Sequence, residues 1–283
     1  MTLEIEALDP IGARLHGLEL GAGLDDAGFE QLHAALLEHG VLVVPGQPLA
    51  MPEQVALGRR FGELEGYEFT LASPNRNVIV ITNVGPDGKV MPRDSTAMRA
   101  IEINERWHTD SSFREVPASV SIFAAQRVPE VGGDTFYASL RKGWLSLPEE
   151  KQAELHGLRA VHDYAEAYRR TGGEIPGMEV QDLTGVTHPI VRVHPETGER
   201  ALYLSSHTSG VEGMDAEAGR ALLDGLLAWC TREPAVYRHR WAVDDVLLWD
   251  NRCMLHRAEG FDETHPRRMH HVRVAGTGPV QPG

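Results

Sequence analysis

Two short segments, far apart in the chain, contain the residue types that bind a transition metal. The first is Trp107-His108-Thr109-Asp110, and the second contains His256. A His and an Asp two positions apart on an extended segment point to the same side, so with one distant His they can occupy a single face of a metal ion. Two imidazoles and one carboxylate that leave the opposite face open suit non-haem Fe(II), which then binds a cosubstrate and oxygen. The pattern therefore predicts an iron site at His108, Asp110 and His256.

Two further residues stand at defined distances from this set. Thr135 follows Asp110 by 25 residues. His256 follows His108 by 148 residues and precedes Arg267 by 11. A lone His-x-Asp is more often a polar turn or a strand edge, so the joint spacing carries the prediction. This spacing resembles the signature of the taurine and 2,4-dichlorophenoxyacetate dioxygenase family of Fe(II)/2-oxoglutarate oxygenases.

The resemblance extends through most of the chain. It rests on the motifs at residues 40–47, 107–113, 132–135, 194–198, 211–214 and 249–252. These motifs are specific for the family and say little about the substrate. The resemblance implies an all-β core with outer helices, of the α+β class, in which a double-stranded β-helix (jelly roll) carries helical insertions.

The composition limits the domain count and the partners. A chain of 283 residues, 42% of them hydrophobic, can bury a sizeable core, and no linker-like shift or internal repeat divides it. We therefore expect a single domain over residues 1–283. The net charge of −14, from 41 acidic residues against 27 Lys and Arg, disfavours nucleic acid or an anionic membrane as the main partner. Any anion-binding site must be a local basic pocket.

The N-terminus and the cysteines indicate the compartment. Residues 1–7 lack the positive end and apolar run of a signal peptide, and no apolar stretch approaches ~20 residues. We expect a cytoplasmic protein. Cys230 and Cys253 are too few for a disulfide framework and are predicted to be free thiols.

Hydrophobic periodicity and turn residues predict the elements that position these side chains. Helices are predicted at residues 25–39, about 52–61, 147–158 and 215–231. Strands are predicted at residues 41–44, 77–81, 120–124, 135–138, 190–193, 201–204, 237–243, 246–249 and 269–275. The strands at 190–193 and 201–204 form a predicted hairpin that His194 closes. Strands and helices do not alternate, which disfavours a parallel α/β fold.

Two segments keep alternative interpretations. Residues 66–105 contain three turn clusters around one strand, so they are either an active-site lid or an ordinary surface loop. The helix at 215–231 contains more Leu than an exposed helix needs. It therefore packs either on the core or at the interface of a homo-oligomer, since relatives in the family are often dimers or tetramers.

The resemblance assigns the residues that bind the cosubstrate. Arg267 is expected to hold the far carboxylate of 2-oxoglutarate, because a guanidinium can bind a carboxylate through two parallel charge-assisted hydrogen bonds. Thr135 would add a hydroxyl donor to that carboxylate. Arg268 is the competitor, but the spacing from His256 favours Arg267.

The last strand also contributes to the substrate pocket. Alternation places His271 and Arg273 on the face of Arg267 unless a bulge intervenes. Relatives that act on taurine or 2,4-dichlorophenoxyacetate carry a second Arg four residues after the Arg that binds 2-oxoglutarate. This chain has His271 at that position. That imidazole binds an anion only when it is protonated, or else serves as a neutral donor. Arg273 either takes the place of the second Arg and binds the substrate anion, or lies at the surface or behind the site without contacting the substrate. The other candidates for the substrate pocket are Asn104, His207, Tyr164 and Arg93.

Together these assignments imply an enzyme that uses Fe(II), 2-oxoglutarate and O2 to hydroxylate a small organic acid. The leading substrate class is aryloxyalkanoate-like, and hydroxylation next to oxygen would cleave the product. One alternative is a tailoring oxygenase that hydroxylates or desaturates a terpenoid or modified amino acid. Another is a non-catalytic jelly-roll protein that binds a metal or a small acid. A structural zinc site is disfavoured because no Cys ligands stand at zinc spacing.

Overall fold

A mixed seven-stranded sheet organises the chain. The computed structural model describes residues 3–21, 23–66, 73–92, 95, 98, 102–169, 185–262 and 264–283. In spatial order, the strands of this sheet are β1 (Glu4–Ala7), β2 (Ala13–His16), β3 (Val41–Val44), β13 (Val246–Asp250), β5 (Ala118–Arg127), β15 (Arg268–Ala275) and β4 (Ile79–Thr82). Only β2 and β3 pair in parallel, and the other neighbours are antiparallel.

Three smaller antiparallel sheets accompany it. The first contains β12 (Val236–His239), β6 (Thr135–Ser139) and β14 (Met254–Ala258). The second contains β11 (Thr208–Val211), β7 (Arg159–His162) and β8 (Val186–Pro189). The third is the predicted hairpin, formed by β9 (Val191–Val193) and β10 (Arg200–Leu202).

Helices lie between the strands. They are α1 (Asp26–His39), α2 (Met51–Phe61), α3 (Leu140–Leu145), α4 (Glu149–Leu155), α5 (Tyr164–Arg169) and α6 (Ala216–Cys230), with a 3-10 turn at Ile103–Glu105. The bounds of α1 agree within one residue with the helix predicted at 25–39. Asp25 accepts a hydrogen bond from the backbone N–H of Gly28 at 2.8 Å, and Gly40 ends the helix with a φ of 76°.

Alternation along the large sheet separates two buried apolar clusters. On β5, Ile122 and Ala124 face the cluster that contains Leu32 and Leu36 of α1. Phe123 faces the other cluster, which is shared with residues of the three smaller sheets. Helices α1 and α2 therefore cover one face of the seven-stranded sheet, and the smaller sheets, with α3 and α6, lie on its other side. The result is a β-rich α+β fold, as predicted.

The missed elements are short. The prediction omitted β1, β2, β7, β8, β11, β14, α3 and α5, which have between four and six residues each. Short elements show too few periods for a pattern to be read, and pairing with distant strands defines them. The predicted strand at 237–243 ends early, at His239, because its partner β6 begins at Thr135, directly opposite His239.

The leucine-rich helix, the cysteines and the helix lengths each relate to an expectation from the sequence. Leu223 and Leu226 of α6 belong to the larger cluster, and Leu222, Leu227 and Trp229 pack against it, so core packing accounts for this leucine-rich helix. Cys230 and Cys253 are free, as predicted, and both are buried. Among the described residues, no helix combines the length and apolar character needed to cross a bilayer. Arg93 and other parts of the segment 66–105 lie outside the described residues.

Gly40 allows a test of how α1 meets the strand β14. A Cβ on Gly40 would lie 2.8 Å from Sδ of Met254, a residue that is 1% exposed. Gly46 also has a positive φ of 65°, but its Cβ would contact nothing within 4 Å. We expect Gly46→Ala to lower the free energy of unfolding by about 1–2 kcal/mol from backbone strain alone. Gly40→Ala should cost roughly 1–3 kcal/mol more, because buried overpacking is added. Urea denaturation measures both, and equal losses would contradict this account.

Candidate active site

His108, Asp110 and His256 converge as the sequence predicted. His108 and His256 form an isolated antiparallel bridge, with backbone N–H to O distances of 2.9 and 2.8 Å. Their ring centroids are 4.1 Å apart, and Nε2 of His256 lies 3.8 Å from Oδ2 of Asp110. One ligand atom from each of the three residues lies within 4.8 Å of the others. This spacing allows all three to bind one metal ion.

The local structure around these residues differs from the expectation. His108 pairs through a single bridge, and Asp110 begins a turn in which Ser111 has a φ of 54°. The His-x-Asp segment is therefore not part of a regular strand. His256 is the middle residue of β14, a strand missing from the predicted set, and β14 pairs with β6 along its whole length. The bridge to His256 holds the short extended segment in place.

Two residues that the sequence reasoning did not select hold Asp110. The side-chain amide oxygen of Asn251 accepts a hydrogen bond from the backbone N–H of Asp110 at 3.1 Å. The Asn251 amide donates to Oγ of Ser121 at 2.8 Å, and Ser121 donates to Oδ2 of Asp110 at 2.7 Å. Asn251 belongs to the quoted motif 249–252. A buried serine inside an apolar strand was the only signal for Ser121.

The protonation states of the three residues suit a divalent metal. Nδ1 of His108 lies 2.7 Å from the carbonyl oxygen of Arg106, so Nδ1 carries the proton and Nε2 keeps a lone pair. Burial lowers the pKa of His108, and it lowers that of His256 further, so both imidazoles are neutral. Burial alone would raise the pKa of the Asp110 carboxyl, but Arg273, His271 and the two other histidines of the site together outweigh burial and keep this pKa well below its usual range. Two neutral imidazoles and an ionised carboxylate are the forms that bind metal.

A second network stabilises the turn that follows β13. The Asp250 carboxylate accepts hydrogen bonds from Arg252 at 2.6 and 2.8 Å, and it lies 3.0 Å from Nε2 of His194. Nδ1 of His194 accepts from the backbone N–H groups of Glu196 and Thr197. His194 therefore closes the β9–β10 hairpin, as predicted, and ties it to the turn beside Asn251.

Arg267 is a buried cation in the same cavity as His108, Asp110 and His256. Its backbone N–H donates to Oδ1 of Asn83 at 2.7 Å, and its guanidinium donates to the carbonyl oxygen of Gly133 at 3.3 Å. Burial lowers the pKa of Arg267 to about 10. Gly133 has a φ of +72°, and a Cβ there would lie 3.3 Å from Nε of Arg267. The glycine turn therefore leaves room for the guanidinium.

Thr135 lies at the start of β6, opposite Ala258 of β14. Its Oγ1 accepts a hydrogen bond from the indole N–H of Trp241 at 3.0 Å, which leaves its own hydroxyl proton free to donate. Thr135 and Arg267 line one cavity together with the three converging residues. The other residues of that cavity are Ile81, Asn104, Phe123, Trp249, Ala258, His271 and Arg273.

The last strand presents its side chains as alternation predicted. His271 and Arg273 line the cavity with Arg267, although the pairing register shifts next to Arg268. Arg268 does not line the cavity, and its Nε lies 3.4 Å from Nε2 of His270. The geometry thus favours Arg267 over Arg268 as the residue that faces a bound molecule.

Arg273 and His271 both contact Asp110. Nε of Arg273 lies 3.2 Å from Oδ1 of Asp110, and its Nη1 donates to Oγ of Ser111 at 3.3 Å. Nε2 of His271 lies 3.5 Å from Oδ2 of Asp110. Burial lowers the pKa of His271 to about 3, so its protonated form is not populated at neutral pH. These contacts favour Arg273 as a support for Asp110 and His271 as a neutral group.

The remaining candidates divide into two groups. Asn104, in the 3-10 turn, lines the cavity. His207 lies behind His108 with ring centroids 5.5 Å apart, and its ring also contacts Tyr164. Neither His207 nor Tyr164 is among the described residues that line the cavity.

Known proteins resemble this chain in fold and sequence. The model of the family described as "Taurine catabolism dioxygenase TauD, TfdA family" matches residues 4–274. The (S)-phenoxypropionate/alpha-ketoglutarate-dioxygenase of Delftia acidovorans is 38% identical over an alignment of 276 residues, and the match covers 94% of this chain and 92% of that protein. The alpha-ketoglutarate-dependent 2,4-dichlorophenoxyacetate dioxygenase of Cupriavidus pinatubonensis is 37% identical, over 95% of this chain and 96% of that one. The crystal structure of AAD-2 in complex with Mn(II) and N-oxalylglycine superposes with a TM-score of 0.91 at 31% identity, over 100% of both chains.

These relatives define the class, which is that of the alpha-ketoglutarate-dependent dioxygenases. The chain belongs to the TauD, TfdA family. The match covers nearly the whole chain and confirms the resemblance inferred from the spacing of the metal and cosubstrate motifs.

The hydrogen bond from Ser121 to Asp110 provides a test of the site. We expect Ser121→Ala to weaken Mn(II) binding roughly 10–100-fold, because the carboxylate loses the donor that orients it. Ser119→Ala is the matched control, since Ser119 lies on the same strand but donates to the carbonyl oxygens of Val274 and Ala275. It should bind Mn(II) like the wild type. Anaerobic equilibrium titration measures both affinities, and equal weakening in the two variants would contradict the assignment.

Proposed function

We propose that this protein is an Fe(II)- and 2-oxoglutarate-dependent dioxygenase that hydroxylates a small organic acid of the aryloxyalkanoate type. One observation carries the proposal. The three metal-binding groups and the buried cation Arg267 open onto the same cavity. A metal ion and a dicarboxylate can therefore bind side by side.

His108, Asp110 and His256 would hold the iron. Their donor set fits Fe(II), because two neutral imidazoles and one carboxylate on one side leave the other coordination positions for exogenous ligands. When bound, Fe(II) with 2-oxoglutarate and O2 supplies the power to oxidise a C–H bond. The protein contributes position, charge and the exclusion of water.

Arg267 and Thr135 would bind 2-oxoglutarate at its far carboxylate. Arg267 forms no ion pair with a carboxylate of the described residues, so its charge is available to a ligand. The Thr135 hydroxyl adds a donor, and Trp241 fixes its orientation. The relative AAD-2 supports this arrangement, since it was crystallised with Mn(II) and N-oxalylglycine, a molecule that also has two carboxylates.

Apolar side chains would keep water from the reacting centre. Trp249, Phe123 and Ile81 form walls of the cavity. Low polarity strengthens the interactions of Arg267 and Asp110 with bound groups. The burial of both ligand imidazoles also keeps them unprotonated and able to bind the metal.

The proposed substrate class rests on the relatives and on the polar groups of the cavity. The relatives are named for phenoxypropionate and 2,4-dichlorophenoxyacetate, which are both aryloxyalkanoates. Neutral His271 offers a donor near the metal-binding groups, and Asn104 lines the same cavity. We infer that the substrate carboxylate uses such neutral donors, or shares Arg273 with Asp110.

We further infer that the large sheet and the facing sheet of β12, β6 and β14 form the double-stranded β-helix. The shared apolar cluster between them supports this topology. The segment 66–105 is proposed as the lid, because Asn104, at its end, lines the cavity. Ile81 of the same segment belongs to β4 of the large sheet and forms a wall of the cavity.

A titration and a turnover assay test the function. The purified protein, freed of metal, should develop a weak visible charge-transfer band when Fe(II) and 2-oxoglutarate are added without oxygen. His108→Ala should show no band. With oxygen and 2,4-dichlorophenoxyacetate or (S)-phenoxypropionate, the wild type should release succinate in amounts that match substrate consumed. A non-catalytic binder would release none, and succinate release with a terpenoid acid alone would favour the tailoring alternative.

Arg267 and Arg268 form a matched pair for the cosubstrate assignment. We expect Arg267→Met to raise the KM for 2-oxoglutarate about 30-fold or more, because one partner of a buried charge pair is lost. Arg268→Met should change this KM little, since Arg268 lies outside the cavity. Steady-state kinetics with varied 2-oxoglutarate distinguish the two, and an effect of Arg268→Met alone would overturn the assignment.

A further inference from the structure

Three guanidinium groups are buried among the described residues, those of Arg192, Arg252 and Arg267. Arg252 is bound by the carboxylates of Asp250 and Glu196. Arg267 and Arg192 form no ion pair with any carboxylate of the described residues. The proposed cosubstrate site accounts for Arg267. It does not account for Arg192.

Arg192 lies in β9 and is only 6% exposed. Its guanidinium carbon lies 4.8 Å from the centroid of the Tyr203 ring, and its Nε is buried with no hydrogen-bond partner. Burial lowers the pKa of Arg192. A single cation–π contact is weak compared with the cost of removing a charge from water. The ring therefore offsets only part of the cost.

Arg192 opens onto a cavity of about 440 Å3 that shares no residue with the candidate active site. This volume lies within the range typical of small-molecule pockets, about 300–1,000 Å3. Apolar groups of Phe61, Val193 and Pro279 line it together with the charged side chains of Arg252 and Glu196. The cavity is thus large enough for an organic molecule and has apolar walls to hold one.

The other charges of this cavity are already engaged. Glu196 is paired with Arg252, and its Oε2 lies 3.0 Å from Nε2 of His33. Arg252 is held by Asp250, which is itself fully buried. Arg192 is therefore the buried cation of this cavity that has no carboxylate contact within the described part of the chain. A buried planar guanidinium that contacts no carboxylate of the protein can bind the carboxylate of a ligand through two parallel hydrogen bonds.

We propose that Arg192 and this cavity form a second binding site, which takes a small organic carboxylate. The carboxylate binds Arg192, and the apolar part of the ligand lies against Phe61, Val193 and Pro279. An inorganic dianion fits less well, because a single unpaired guanidinium supplies one positive charge and apolar side chains form part of the wall. The site adjoins the turn of Arg252 and Asn251, and Asn251 holds Asp110.

Calorimetric binding measurements test the proposal. Arg267 also offers a buried guanidinium to carboxylates, so the binding measurements are made in the Arg267→Met protein. We expect this protein to bind benzoate, and the double variant Arg267→Met/Arg192→Met to bind it at least about tenfold more weakly. Benzyl alcohol, the neutral analogue, should not bind measurably. The result does not depend on turnover, so it stands or falls separately from the proposed function.

Control variants and a second anion complete the test. Arg127→Met, which changes an exposed arginine, should leave benzoate affinity unchanged in the same background. Glu196→Gln should tighten benzoate binding roughly two- to fivefold, because it removes a negative charge from the cavity wall. Absence of benzoate binding, or equal affinity with and without Arg192, would overturn the proposal. Tighter binding of inorganic phosphate than of benzoate would overturn the organic class. Should the double variant not fold, an unchanged affinity in Glu196→Gln decides against the site.

Discussion

The ionised carboxylate of Asp110, buried to 3% exposure, is the constraint on which the rest of the site depends. A charge removed from water must be compensated by donors and opposite charge. Here Ser121 donates to it, Arg273 lies within 3.2 Å, and the Asn251 side chain holds its backbone. These partners come from three different strands or their ends. The sheet order is thus what keeps one negative charge in the right place for a metal.

The same physical rule explains the buried cations. Arg252 is matched by Asp250 and Glu196 and acts as a structural link. Arg267 and Arg192 are buried without such a match among the described residues, and each opens onto a cavity. An acidic chain of net charge −14 thus contains local positive sites whose unpaired charge favours small anions. Burial, rather than the total charge, determines where anions bind.

Much of the fold could be predicted where local chemistry defines an element. Helix α1 has an Asp25 cap, an apolar stripe and a Gly40 stop within a single segment, and strand β3 is a continuous apolar run. Strand β14 was missed because it alternates weakly and contains the polar residues His256 and Arg257. Its pairing with β6 arises from contacts more than a hundred residues apart in sequence, which no local pattern contains.

The sequence by itself determined which residues converge on the metal position, because the types and spacing of His108, Asp110 and His256 are specific. It also determined the inward face of the last strand, since alternation is a property of extended backbone. Only the tertiary structure decided that Arg273 contacts Asp110 and that His271 is neutral. It alone placed Ser121 beside Asp110 and Arg192 at a second cavity. Burial and contact between distant segments set these properties, and both exist only after the chain has folded.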